Sequence, residues 1–130
     1  MILAKFNINP IGAVRQTRAD VWKKRPEVLR YRAFKDSMRL QAAPYYLPAN
    51  PLSVDIDFFI PMPNSWSKKK CEAMNGTLHR QKPDIDNLWK AATDALWPDD
   101  DSCIACCSGR KFWSINGCII MTVNFEQVTP

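Results

Sequence analysis

The residues best suited to chemistry lie between Asp84 and Asp101, where DIDNLWKAATDALWPDDD packs six carboxylates and a single lysine into an otherwise basic chain. Residues 1–83 carry 15 Lys and Arg against six Asp and Glu, while residues 84–101 carry one Lys against six Asp. Acid gathered inside a cationic protein points to a divalent cation held against a polyanion. Mg²⁺ takes hard oxygen ligands, one or two carboxylates per ion with water and phosphate oxygens completing the shell, and the surrounding Lys and Arg attract phosphate. An ion so held ionises an attacking water and neutralises charge on the departing oxygen of a phosphodiester. Lys90, one turn beyond Asp86, is spaced to pair with Asp86 at rest or to contact a non-bridging oxygen or the nucleophilic water.

These residues need a helix to position them. The pattern predicts one from Asp86 to Trp97, stopped by Pro98, which disfavours the α conformation in the residue before it. On a helical wheel Leu88, Ala91, Ala92 and Ala95 form an apolar face. Lys90, Thr93 and Trp97 fall within about 40° of Asp86 on the opposite side. Asp86 stands where an N-cap belongs, and Asp84, two residues earlier in extended chain, points to the same side. Asp99, Asp100 and Asp101 follow the far end of a helix roughly 18 Å long. They meet Asp84 and Asp86 only if the chain folds back, most simply as the start of a strand beside the Asp84 segment. Taken singly, each feature has a plainer reading: a helix cap, a solvated turn, or a surface pair worth ~0.3–0.5 kcal/mol.

Around this helix the sequence predicts strands at 2–8, 52–60, 102–112 and 117–126, with a turn at Asn116-Gly117 joining the last two. Helices are expected from Val28 to Ala43 and over a short stretch begun by Ser65 or Ser67 and ended at Gly76. Residues 13–27 form a basic loop or short helix that includes Trp22. The order β-α-β-α-α-β-β gives an α/β protein of α+β type, one mixed sheet with helices packed on it, in a single domain over 1–130.

The bulk numbers agree with an anionic partner without requiring one. A chain of 130 residues, net charge +5 and pI about 9.1 lies in the ordinary globular range. Candidate phosphate-binding groups are Arg15, Arg18, Lys23, Lys24, Arg25, Arg30 and Arg32, the run Lys68, Lys69 and Lys70, and Arg80 with Lys82. No stretch is long and apolar enough for a membrane span and none resembles a signal peptide, so the expected location is the cytoplasm. Five cysteines, an odd number, suit reduced, mostly buried thiols. Cys103 and Cys106 have zinc-knuckle spacing, with Cys118 and His79 available to complete four ligands. SCIACC reads better as a strand with Cys103, Ala105 and Cys107 on one face, and His79 reads as incidental to catalysis. A zinc-bound adaptor and a DNA-binding module with a merely structural acid cluster are the readings that compete with a nuclease.

KPDIDNLWKAATDALWPDDDSCI, at 82–104, resembles the RusA family of Holliday-junction resolvases, metal-dependent endodeoxyribonucleases carried largely by phages and prophages. Asp84, Asp86, Asn87, Lys90, Asp100, Asp101, Ser102 and Ile104 fit the family pattern in order. The stretches VRQTRADVWKKRPEVLRYRAFKDSMR and SWSKKKCEAMNGTLHRQKPD are similar to its phage branch. The resemblance implies that Asp84, Asp86 and Asp101 hold Mg²⁺ (or Mn²⁺ in its place), with Asp100 of lesser weight and Lys90 the essential lysine. It also implies a homodimer nicking two strands of like polarity in branched DNA, a four-way junction, with no nucleotide cofactor and no membrane. Asp99 leaves the register between Asp100 and Asp101 open by one residue, and Cys103 stands where the family commonly has Gln.

Overall fold

The structure, a computed structural model, describes residues 1–15, 17–21, 25–98 and 103–125. Its elements are β1 (Ile2–Phe6), α1 (Pro26–Ala42), β2 (Ser53–Pro61), α2 (Lys68–Met74), α3 (Ile85–Leu96), β3 (Cys106–Ser114) and β4 (Cys118–Asn124), with short 3-10 turns at Arg18–Val21 and Ala43–Tyr45. The strands form one mixed sheet in the order β1-β4-β2-β3. The expected class and element order therefore hold.

Adjacency within the sheet is another matter. The turn at 115–117 does not join neighbouring strands. β3 pairs in parallel with β2, Ser53 opposite Cys106 through Pro61 opposite Ser114, while β4 lies on the other side of β2, antiparallel to it and to β1. A parallel pair needs a long crossover, and the span from 62 to 105 supplies it with α2 and α3. The final connection then steps across the end of β2, a distance of about 9–10 Å at the usual strand spacing.

One face of the sheet is apolar. Ala4, Phe6, Val54, Ile56, Phe58, Met121 and Val123 pack there with Tyr31, Phe34 and Met38 of α1 and Leu88, Ala91, Ala92 and Ala95 of α3. The other face is mixed: Arg110 pairs with Asp57 at 2.8 Å, Ser108 donates to Asp55 at 2.7 Å, and Phe59 stacks on Phe112 at 5.3 Å between centroids.

α3 is covered from two directions, by the sheet and by α1. This corrects the wheel: Thr93, placed beside Asp86, is wholly buried, its hydroxyl donating to the carbonyls of Trp89 and Lys90. Trp97 lies outside the helix as its C-cap and is buried as well. β3 likewise starts later than expected. Cys103, Ile104 and Ala105 precede it, because the Leu52 carbonyl takes the N–H groups of Ala105 and Cys106 and so sets where the ladder begins.

Candidate active site

Residues 76–83 run along the outer edge of β3 and deliver the chain to α3. Gly76 N–H donates to the Trp113 carbonyl at 2.8 Å, Trp113 N–H to Thr77 at 2.8 Å, and His79 N–H to Lys111 at 2.9 Å. The Lys82–Pro83 peptide is cis. From inside, Lys111 Nζ reaches up to the carbonyls of Gln81, at 2.6 Å, and Pro83, at 2.8 Å. Charge-assisted bonds of this kind are about twice as strong as neutral ones.

α3 opens at Ile85, one residue earlier than expected, so its N-cap is Asp84 rather than Asp86. Asp84 has the extended backbone of a cap (φ −68°, ψ 147°), yet its carboxylate accepts no capping hydrogen bond. Asp86 sits in the first turn. Asp84, Asp86 and Lys90 are all exposed, and no ion pair joins Lys90 to Asp86. Among the described residues none of these three side chains has a polar partner. The plain readings, a cap and a surface pair, thus do not describe this site. Free N–H groups at the helix start and the macrodipole favour negative charge there.

Two contacts seat this helix end. Gly109 of β3 leaves room for Ile85, whose Cδ1 would lie 3.2 Å from any added Cβ. On the other flank Ala13 N–H donates to the Asn87 carbonyl at 3.1 Å, and Gly12 packs against Pro83 and Asn87. That contact ties the basic N-terminal segment to the acidic pair. Arg15 follows two residues later and is exposed, as is Arg18. Arg25 donates to the Arg15 carbonyl at 3.2 Å and pairs with Glu27 at 3.1 Å.

The second basic group is assembled through aromatics. Ser67 caps α2 by accepting from Lys70 N–H at 3.2 Å, and Lys70 Nζ lies 4.2 Å above the Trp66 ring. Trp66 packs on Trp113 at 4.7 Å between centroids, and His79 packs on the same indole at 4.1 Å. Lys68, Lys69, Arg80 and Lys82 are exposed around this cluster. His79 is buried, and burial together with the Lys111 charge holds its pKa below the usual histidine value. It is a packing residue.

Asp99, Asp100, Asp101, Ser102, Lys23, Lys24 and Trp22 lie outside the described residues. Among the described residues no three His, Cys, Asp or Glu side chains gather to hold a metal. Cys103, Cys106, Cys118 and His79 are all described, and the zinc reading falls with them; the thiols expected to be mostly buried are instead half-buried or, at Cys106 and Cys107, exposed. What the described residues offer is an all-oxygen pair, Asp84 and Asp86, exposed and unpaired, the donor chemistry that a hard divalent cation takes.

Sequence reasoning missed Lys111. The signal was present, since alternation along β3 puts Lys111 on the same face as Gly109 and Trp113, toward the helices.

The family model for endodeoxyribonuclease RusA matches residues 7–124. The chain belongs to the RusA family. The match covers the Asp84–Lys90 segment, both basic groups and every strand of the sheet except β1. A RusA-family chain with these contacts carries its acidic pair at the start of the crossover helix, seated on the outer strand. The protein is also 35% identical over 115 residues to the uncharacterised protein YqaN of Bacillus subtilis, covering 81% of this chain and 78% of that protein. No helix among the described residues is long and apolar enough to cross a membrane.

Proposed function

We propose that the protein is a Mg²⁺-dependent endodeoxyribonuclease that resolves four-way DNA junctions by paired nicks, working as a homodimer. The observation that carries this reading is the pair Asp84 and Asp86, exposed at a helix start and, among the described residues, without a capping or ion-pair partner, in a chain of the RusA endodeoxyribonuclease family.

In this reading Asp84, Asp86 and Asp101 hold the cation, Asp100 stands beside them, and Mn²⁺ serves in place of Mg²⁺. The bound ion supplies an ionised water and neutralises charge on the leaving oxygen. Lys90, one turn along the exposed face, donates to a non-bridging phosphate oxygen or to the attacking water. Arg15, Arg18, Arg25, Lys68, Lys69, Lys70, Arg80 and Lys82, with Lys23 and Lys24, grip phosphates on either side of the scissile bond. Binding then weakens steeply with salt, by a slope of about 0.9 in log affinity per log salt for each phosphate neutralised.

The test is cleavage of a synthetic four-way junction beside a linear duplex of the same sequence, with Mg²⁺ and with chelator. The expected result is nicks in two strands of like polarity in the junction, an intact duplex, and no cutting in chelator. Binding without cutting at any Mg²⁺ concentration would mark a DNA-binding module, and equal cutting of flaps would mark a broader branched-DNA nuclease.

A further inference from the structure

We propose that Lys111 is a positioning residue for the acidic pair: its ammonium clamps the backbone from which Asp84 and Asp86 project. This rests on the reading of that pair as cation ligands. Lys111 lies on the helix-facing side of β3, opposite Phe58, which is 1% exposed, and between Gly109 and Trp113. A charged group on such a face calls for a specific partner.

Its partners are all in one segment. Nζ donates to the Gln81 and Pro83 carbonyls at 2.6 and 2.8 Å, and the Lys111 carbonyl accepts from His79 N–H at 2.9 Å. Pro83 is directly bonded to Asp84, whose own carbonyl takes the first helical bond, from Leu88 N–H at 3.1 Å. Lys111 therefore fixes the last peptide before the ligands, while α3 fixes the first turn after it. The compact three-donor head of lysine suits two converging carbonyls better than the flat guanidinium fork does. Misplacing a reacting group by about 1 Å can cost on the order of 10²-fold in rate, so losing the clamp should be felt at Asp84 although Lys111 touches neither cation nor DNA.

The decisive measurement is Mn²⁺ affinity of the full chain, without DNA, by calorimetry, set beside single-turnover junction cleavage and thermal melting. Lys111→Met keeps the stem and removes the donors. It should weaken Mn²⁺ binding by about tenfold, the scale of an outer-shell loss, and slow cleavage at saturating junction at least as much. Junction affinity in chelator should stay within about threefold of the wild type, since no phosphate contact is lost. Lys111→Arg should recover part of both losses. A Lys111→Met protein that melts lower but binds Mn²⁺ and cuts like the wild type overturns the proposal, because that is what a purely structural lysine would do. Should Lys111→Met not fold, Lys111→Gln, which keeps one donor head, decides the matter by the same readouts. A wild type that binds Mn²⁺ but cuts no DNA defeats the nuclease reading alone, and the variants' Mn²⁺ affinities still judge Lys111. A wild type that binds no Mn²⁺ defeats both.

Discussion

The two ends of α3 are built on opposite principles. At the C-terminal end backbone and side chains are both committed. Trp97 N–H closes on Thr93 at 2.7 Å, its indole Nε1 donates to the Pro48 carbonyl at 2.9 Å, and Arg39 Nε takes the Ala95 carbonyl at 2.8 Å. The acid of that half, Asp94, accepts from the Tyr31 hydroxyl at 3.5 Å; burial, with Asp94 adding to it, pushes Tyr31 up to about 12. At the N-terminal end the backbone is held as firmly, by Lys111 from below and Ala13 from the side, but among the described residues Asp84, Asp86 and Lys90 have no side-chain partner. A fixed backbone carrying free charged side chains is what a site for an external ligand requires, because pairing would have to be undone before binding. Asp94 has the same carboxylate on the same helix, with its bond already made.

The largest expected effect breaks or keeps that contrast directly. Asp86→Asn should lower single-turnover junction cleavage by on the order of 10³-fold, the scale of losing a principal charge-stabilising group. Junction binding should be unchanged or tighter, since a negative charge facing DNA is removed. Asp94→Asn, which keeps an acceptor for Tyr31, should cut within about threefold of the wild type. Equal damage from both substitutions would mean that the two ends do not differ in function.

A smaller effect tests the seating of the site. Gly109→Val puts a branched side chain where Ile85 Cδ1 and Cγ1 leave 3.2 Å. Overpacking of this sort costs about 1–3 kcal/mol, visible as a lower melting temperature. Because the displaced group is the first residue of α3, cleavage should fall by about tenfold even well below melting. Loss of stability with full activity would show that the helix start tolerates the shift.

How much of this was legible follows from which interactions are local. The cap of α2, narrowed to Ser65 or Ser67, the apolar face Leu88-Ala91-Ala92-Ala95 and the four strands are set by neighbours in sequence and were readable to that extent. The strand order was not, since the insertion of β2 between β3 and β4 depends on pairings far apart in the chain, and Asn116-Gly117 looks the same whether its strands are neighbours or not. Thr93 and Trp97 were misplaced because a wheel assumes one buried side, whereas α3 is wedged between sheet and α1. The cap was misread by two residues because Asp84 and Asp86 carry the same signal. The acidic pair itself was legible as chemistry, but the clamp beneath it needed the parallel register that turns Lys111 inward.

The smallest effect concerns the edge that carries the pair. His79 is 4% exposed, and its Nδ1 accepts from Gln81 N–H at 3.4 Å, which only the unprotonated ring nitrogen can do. Burial first, and the Lys111 charge second, lower its pKa from the ordinary 6.5. Unfolded chains therefore bind more protons than folded ones just below pH 6.5, so stability present above that value is lost as pH falls through the window beneath it. Melting of the wild type at a series of pH values should show this decline superposed on that of the carboxylates. His79→Gln, which cannot titrate, should flatten the part between about 6.5 and the lowered value while leaving the acid limb in place. The same protonation would set a second positive charge beside Lys111 and remove the acceptor for Gln81. The 76–83 edge should then loosen before the core does, and hydrogen exchange at the His79 and Gln81 amides should quicken relative to β2 as the pH drops. Superimposable wild-type and His79→Gln profiles would instead mean that the histidine carries its proton equally well in both states, and that the edge is held by its backbone bonds and Lys111 without help from the ring.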